Sequence, residues 1–219
     1  MSTESYSRRS LFIGAAGLAA ARRSSAQSDR RGGPAAPRFE IDRFVDDVIR
    51  ARAEADSQLA VEEVLQRAVS QPQRILAAIG GPMVAGIHAL HRDSNVTILN
   101  VVWAPLMVLL PHNHNMWASI GIYTGREDNI LWERSKGQVT ATGAAALSEK
   151  QILGLPADAI HSVTNPIGRL TGAIHIYGGD FFAPGRSEWD AESLEERPWD
   201  IEAARAEFAK AVDRFNSVP

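Results

Sequence analysis

The chain has 219 residues, enough for one ordinary domain with appendages, and 45% of them are hydrophobic, enough for a sizeable core. A net charge of −3, without a basic stripe or interleaved basic and aromatic residues, argues against nucleic acid as a partner. There are no cysteines, which excludes disulfides, thiolate ligands, a cysteine nucleophile and an iron–sulfur cluster.

Residues 1–26 read as an export signal. Ser7-Arg8-Arg9-Ser10-Leu11-Phe12-Ile13 is a twin-arginine pattern, followed by an apolar Ala/Gly-rich run from Leu11 to Ala21 that is too short to span a bilayer. Ser24-Ser25-Ala26 supplies small residues for cleavage before Gln27. The segment resembles twin-arginine (Tat) signals, although Leu-Phe-Ile stands where Phe-Leu-Lys is usual. A periplasmic or otherwise exported protein without a stable membrane anchor after cleavage is expected. Removing residues 1–26, which hold four Arg and one Glu, takes the net charge from −3 to −6.

Residues 27–37 are polar and rich in Gly and Pro, and read as a linker. Residues 38–82 read as a helical segment. Ile41, Phe44, Val45, Val48 and Ile49 recur at helix spacing, and a second helix is expected from about Ser57 to Val69 before Pro72 interrupts it. From residue 83 to 185 short runs rich in Val, Ile, Leu and aromatics alternate with turn residues, the pattern of an all-β barrel or jelly roll. Strands are expected at 85–91, 96–103, 106–110, 115–124, 129–133, 138–142, 159–163 and 170–177. Arg126-Glu127-Asp128 reads as a solvated turn. Residues 186–219 form a tail and a closing helix, with Asp200 as N-cap and Ile201, Ala204, Phe208, Val212 and Phe215 on one face.

All six histidines lie in the strand-rich middle. His112 and His114 are two apart on a strand, so they share a face while Asn113 points away. With His161 from a second strand they make a compact nitrogen site for a first-row metal. His88 and His91 read as ordinary strand or turn residues. Asn113, Asn115 and Asn165 are the candidate acceptors that fix the ligand rings.

These segments resemble the two motifs of the cupins. The first motif is Gly, five residues, His-x-His, three or four residues, Glu, six residues, Gly. Here the positions are Leu106, His112, His114, Ala118 and Gly125, so the spacing holds while the leading glycine and the glutamate ligand are replaced. The second, Pro-x-Gly-x-x-His-x-x-x-Asn, appears as Pro156, Asp158, His161 and Asn165. The resemblance implies an all-β core in a cupin double-stranded β-helix (jelly-roll barrel), with N-terminal helices and a C-terminal helix.

Three histidines without the glutamate are similar to the thiol dioxygenases, the cysteine dioxygenase group. That resemblance implies Fe(II), with Mn, Ni or Zn as alternatives, and a small-molecule substrate together with O2. The neutral histidine set leaves the site's charge at +2, which an anionic thiolate partly neutralises. The family's Ser-x-His-x-Tyr becomes Ala173-x-His175-x-Tyr177. His175 and Tyr177 are then the catalytic candidates, with Tyr177 donating a hydrogen bond to bound oxygen and Thr171 substituting for the serine. The mammalian enzymes' upstream carboxylate-binding arginine is missing, leaving Arg92, Arg126 and Arg186 as candidates. The implied function is oxidation of a small thiol to its sulfinate. A metal-dependent cupin with a non-thiol substrate and a non-catalytic metal- or ligand-binding periplasmic cupin remain the alternatives.

Overall fold

The computed structural model describes residues 39–135 and 138–217. The export signal at 1–26 and the linker at 27–37 lie outside the described residues. Three helices come first: α1 (Ile41–Arg52), α2 (Ser57–Val69) and α3 (Pro72–Ile79). Pro72 is at the start of α3, where its missing N–H costs nothing.

The barrel strands are β1 (Gly86–Arg92), β2 (Thr97–Trp103), β3 (Val108–Asn113), β4 (Ala118–Thr124), β5 (Arg126–Ser135), β6 (Gln138–Ser148), β7 (Ile152–Leu155), β8 (Ile160–Thr164) and β9 (Thr171–Tyr177). Two short strands, β10 (Ser187–Trp189) and β11 (Glu196–Pro198), precede α4 (Ile201–Asn216). The strands form two antiparallel sheets, ordered β1-β2-β9-β4-β7 and β11-β10-β3-β8-β5-β6.

The pairing is nested: β2 with β9, β3 with β8, β4 with β7, and β5 with β6. Successive pairs alternate between the sheets. A long hairpin folded about β5–β6 and wound on itself has this order, which defines the eight-stranded jelly roll. The core is therefore a cupin double-stranded β-helix with helices at both chain ends.

The first sheet is covered on both sides. Leu99, Val101, Ile120 and Ala173 face the barrel interior, while Ile98, Tyr123, Ile174 and Ile176 meet Val48, Val61, Leu65 and Ile75 of the helices. This is why every residue of β9 is buried and why its sequence is mostly apolar, with Thr171 and His175 as buried polar exceptions. A Cβ on Gly121 would come within 2.9 Å of Leu65 and Val69, so glycine lets α2 lie directly on β4. In α4, Asp200 accepts from the Glu202 N–H and caps the helix. Phe208 of α4 then stacks on Trp103 at 5.2 Å between centroids and closes the barrel end beside the histidines.

The two motif glycine positions differ in what they require of the chain. Leu106, at the family's glycine position, has a left-handed backbone (φ 56°) and an exposed side chain. Gly125 keeps its glycine because its φ is +86° and a Cβ would sit 2.3 Å from Thr171 Oγ1.

Candidate metal centre

His112 and His114 come from β3 and the residue that follows it, and His161 from β8, which pairs with β3 so that His112 faces His161 across the ladder. The three rings are buried, with centroids 4.6 to 5.0 Å apart. One nitrogen from each ring lies within 4.8 Å of the others. Burial disfavours the imidazolium in every case. His112 is pushed down to about 4, despite a bond to the Leu110 carbonyl that acts the other way. His114 and His161 are held well below the ordinary histidine value by the same cause. All three are therefore neutral near pH 7 and able to ligate.

Hydrogen bonds set which nitrogens face inward. His112 Nδ1 donates to the Leu110 carbonyl at 2.8 Å, and His161 Nδ1 donates to Asn129 Oδ1 at 2.7 Å. That leaves the Nε2 lone pairs of both rings for the centre. His161 Nε2 lies 3.5 Å from His114 Nε2. A metal about 2.1 Å from each nitrogen, at angles between about 90° and 109°, sets nitrogens roughly 3.0–3.4 Å apart. The residues fit a metal ion. Ala118, at the family's glutamate position, is a buried core residue of β4, so the ligand set is purely imidazole.

His175 and Tyr177 share a face of β9, as their spacing predicts. His175 Nδ1 is 3.1 Å from the Tyr177 hydroxyl, and the Tyr177 ring meets that of His114 edge-on at 4.9 Å. Burial pushes the phenol well above its ordinary value. Thr171 does not take the missing serine's place: its hydroxyl accepts from the Arg126 N–H and has the Arg126 carbonyl and Asn165 Oδ1 as acceptors for its one proton. Instead, His175 Nε2 is 3.2 Å from Glu127 Oε2, which also accepts from Trp103 Nε1 at 2.7 Å. Asn129 Nδ2 donates to Glu127 Oε1 at 3.2 Å.

Glu127 overturns the solvated-turn reading of Arg126-Glu127-Asp128. The triplet opens β5, and strand alternation sends Glu127 and Asn129 inward while Arg126 faces solvent. The three asparagines expected beside the ligands work elsewhere. Asn113 accepts from the Ser187 N–H, Asn115 donates to the Gly185 carbonyl, and Asn165 donates to the carbonyls of Ala104 and Arg169. Asn129 went unrecognised because it lies 32 residues from its histidine; the β5–β8 pairing brings it there. His88 and His91 are apart from the centre, in contact with the Val84 carbonyl and Asp93.

Among the three candidate arginines, Arg92 is paired with Asp180 and Arg126 with Asp128, each through two hydrogen bonds. Arg186 is buried, and among the described residues none of its three guanidinium nitrogens has a hydrogen-bond partner. It lies over the rings of Trp199 (3.4 Å) and Phe181 (4.2 Å), and both residues line the cavity beside His112, His161 and Tyr177. Burial lowers it to about 10, so it keeps its charge at neutral pH. The cavity measures about 30 Å³, and Trp199 and Phe208 are among its lining.

No family model matches the chain. Among solved structures it is similar to an RmlC-like cupin family protein with a double-stranded β-helix fold from Methanocaldococcus jannaschii, at 13% identity over 46% of this chain and 84% of that one, with a TM-score of 0.38. It is also similar to an uncharacterized conserved protein with a double-stranded β-helix domain from Klebsiella pneumoniae, at 9% identity over 55% and 88%, TM-score 0.35. Hydroquinone 1,2-dioxygenase from Sphingomonas sp. TTNP3 is similar at 8% identity over 45% and 68%, TM-score 0.37. The cupin fold itself stands on the strand order and pairing described above.

Proposed function

We propose that this protein is an exported mononuclear non-haem iron dioxygenase-like cupin that oxidises a small thiol to its sulfinate. One thiol and one O2 give one sulfinic acid, with both oxygen atoms ending on sulfur. The observation that carries this reading is the carboxylate-free three-histidine centre with the His175–Tyr177 pair against it. Fe(II), held by His112, His114 and His161, would supply the redox chemistry that joins O2 to the thiol sulfur.

The chain's own residues have separable tasks in this reading. His112, His114 and His161 hold the ion. Trp199 and Phe208 keep bulk water out. Arg186 binds an anionic group on the substrate, because a buried guanidinium without partners is costly until an anion meets it.

The small volume of the cavity favours one second reading, a cupin that binds metal without turnover. At about 30 Å³ the cavity is small for a substrate, so a larger molecule needs side chains of the lining to move. Anaerobic titration of the Fe(II)-loaded protein with a panel of small thiols, followed by O2 admission, separates the two readings. The proposal expects a thiol-dependent change in the iron spectrum and one O2 consumed per sulfinate. No spectral change and no uptake with any thiol supports the binding protein. Export is tested separately: Arg8→Lys with Arg9→Lys is expected to retain the precursor in the cytoplasm, and unimpaired export removes the twin-arginine assignment.

A further inference from the structure

Glu127 is fully buried, and its hydrogen-bond partners are Trp103, Asn129 and His175 rather than Lys or Arg. As a carboxylate it can only accept. That single constraint propagates along two lines. Toward Asn129 it requires the amide nitrogen to face Glu127, so Asn129 Oδ1 faces His161 and Nδ1 of that ring carries the proton. Toward β9 it requires His175 to present an N–H at Nε2. A neutral His175 then has a lone pair at Nδ1, 3.1 Å from the Tyr177 hydroxyl, which must donate to it.

We propose that Glu127 is the positioning residue that fixes two tautomers at once, His161 as a metal ligand through Nε2 and His175 as the acceptor of the Tyr177 proton. The consequence reverses the role expected for Tyr177. With its own proton committed to His175, the phenol oxygen offers lone pairs to the cavity. The group it meets on a reactant is a hydrogen-bond donor: a thiol S–H, a hydroxyl or an ammonium. The tautomer assignment holds for any substrate, while the thiol as donor rests on the function proposed above.

Nitrogen-15 NMR of the full chain labelled at histidine, metal-free and with Zn²⁺, tests this without thiol or O2. It therefore fails or succeeds independently of the dioxygenase reading. In the wild type, His175 is expected as a single tautomer protonated at Nε2. A proton at Nδ1, or on both nitrogens, overturns the assignment. Glu127→Gln has one acceptor oxygen where the carboxylate has two, so one line must break. Either His175 moves to the Nδ1–H tautomer, or Asn129 turns and Zn²⁺ affinity falls about 10- to 100-fold. A folded Glu127→Gln protein in which neither changes overturns the proposal. If that variant does not fold, the wild-type spectrum alone decides the tautomers.

Discussion

Asn129 Oδ1 accepts the Nδ1 proton of His161 at 2.7 Å, and both residues are almost wholly buried. The bond turns the His161 lone pair toward His114 and keeps it there. Outer-shell acceptors of this kind typically change metal affinity about 10- to 100-fold. Asn129→Ala is expected to weaken metal binding by that factor while leaving the far-ultraviolet circular dichroism unchanged. Competition with a chromophoric chelator measures it; unchanged affinity contradicts the role given to Asn129.

Arg186→Met keeps much of the stem packing against Trp199 and removes the charge. For a thiol carrying a carboxylate, KM is expected to rise about 10- to 100-fold, the loss of a hydrogen bond to a charged group. A neutral thiol of similar size is expected to lose less. Steady-state kinetics on such a pair check this, and equal losses on both contradict an anion site at Arg186.

Leu106 offers a stability test at the cupin glycine position. A left-handed backbone costs a non-glycine residue about 1–2 kcal/mol, and the exposed side chain contributes little packing. Leu106→Gly gives part of that back as chain entropy in the unfolded state, so a net gain of up to about 1 kcal/mol is expected. Urea unfolding midpoints measure it.

Acid is expected to destabilise the metal-free protein. His112 folds with a value near 4 against an ordinary 6.5, so below pH 6.5 the unfolded chain binds protons that the buried ring refuses. Stability from this group is complete above 6.5 and is lost as pH falls to about 4. That is about 3 kcal/mol for His112 alone, an order-of-magnitude figure. His114 and His161 shift in the same direction and deepen the loss. Unfolding free energies between pH 7 and 4 check the slope; a flat profile contradicts buried, neutral rings.

Much of the fold was legible because most strands are short apolar runs separated by turn residues. Strand β7 escaped because four residues, one of them Gly154, make too weak a pattern. Strand β6 runs past Thr142 through Gly143-Ala144-Ala145-Ala146, residues with little strand preference that pairing with β5 holds extended. At the site, the His-x-His and His-x-Tyr spacings placed side chains on shared faces, which alternation alone predicts. The partners of those histidines were not legible. Glu127 and Asn129 arrive from β5, and a charged triplet resembles a turn unless its alternation with buried Asn129 and half-buried Leu131 is noticed. The stacking of Arg186 on Phe181 and Trp199, five and thirteen residues away, has no periodic signature in the sequence.

The most direct test is the metal content of the purified chain and of its single histidine variants. His112, His114 and His161 are expected to hold one ion together. Wild-type protein should carry one equivalent, His112→Ala, His114→Ala and His161→Ala should each lose it, and His88→Ala and His91→Ala should retain it. A His161→Ala protein that keeps a full equivalent with an unchanged coordination spectrum would contradict the three-histidine centre.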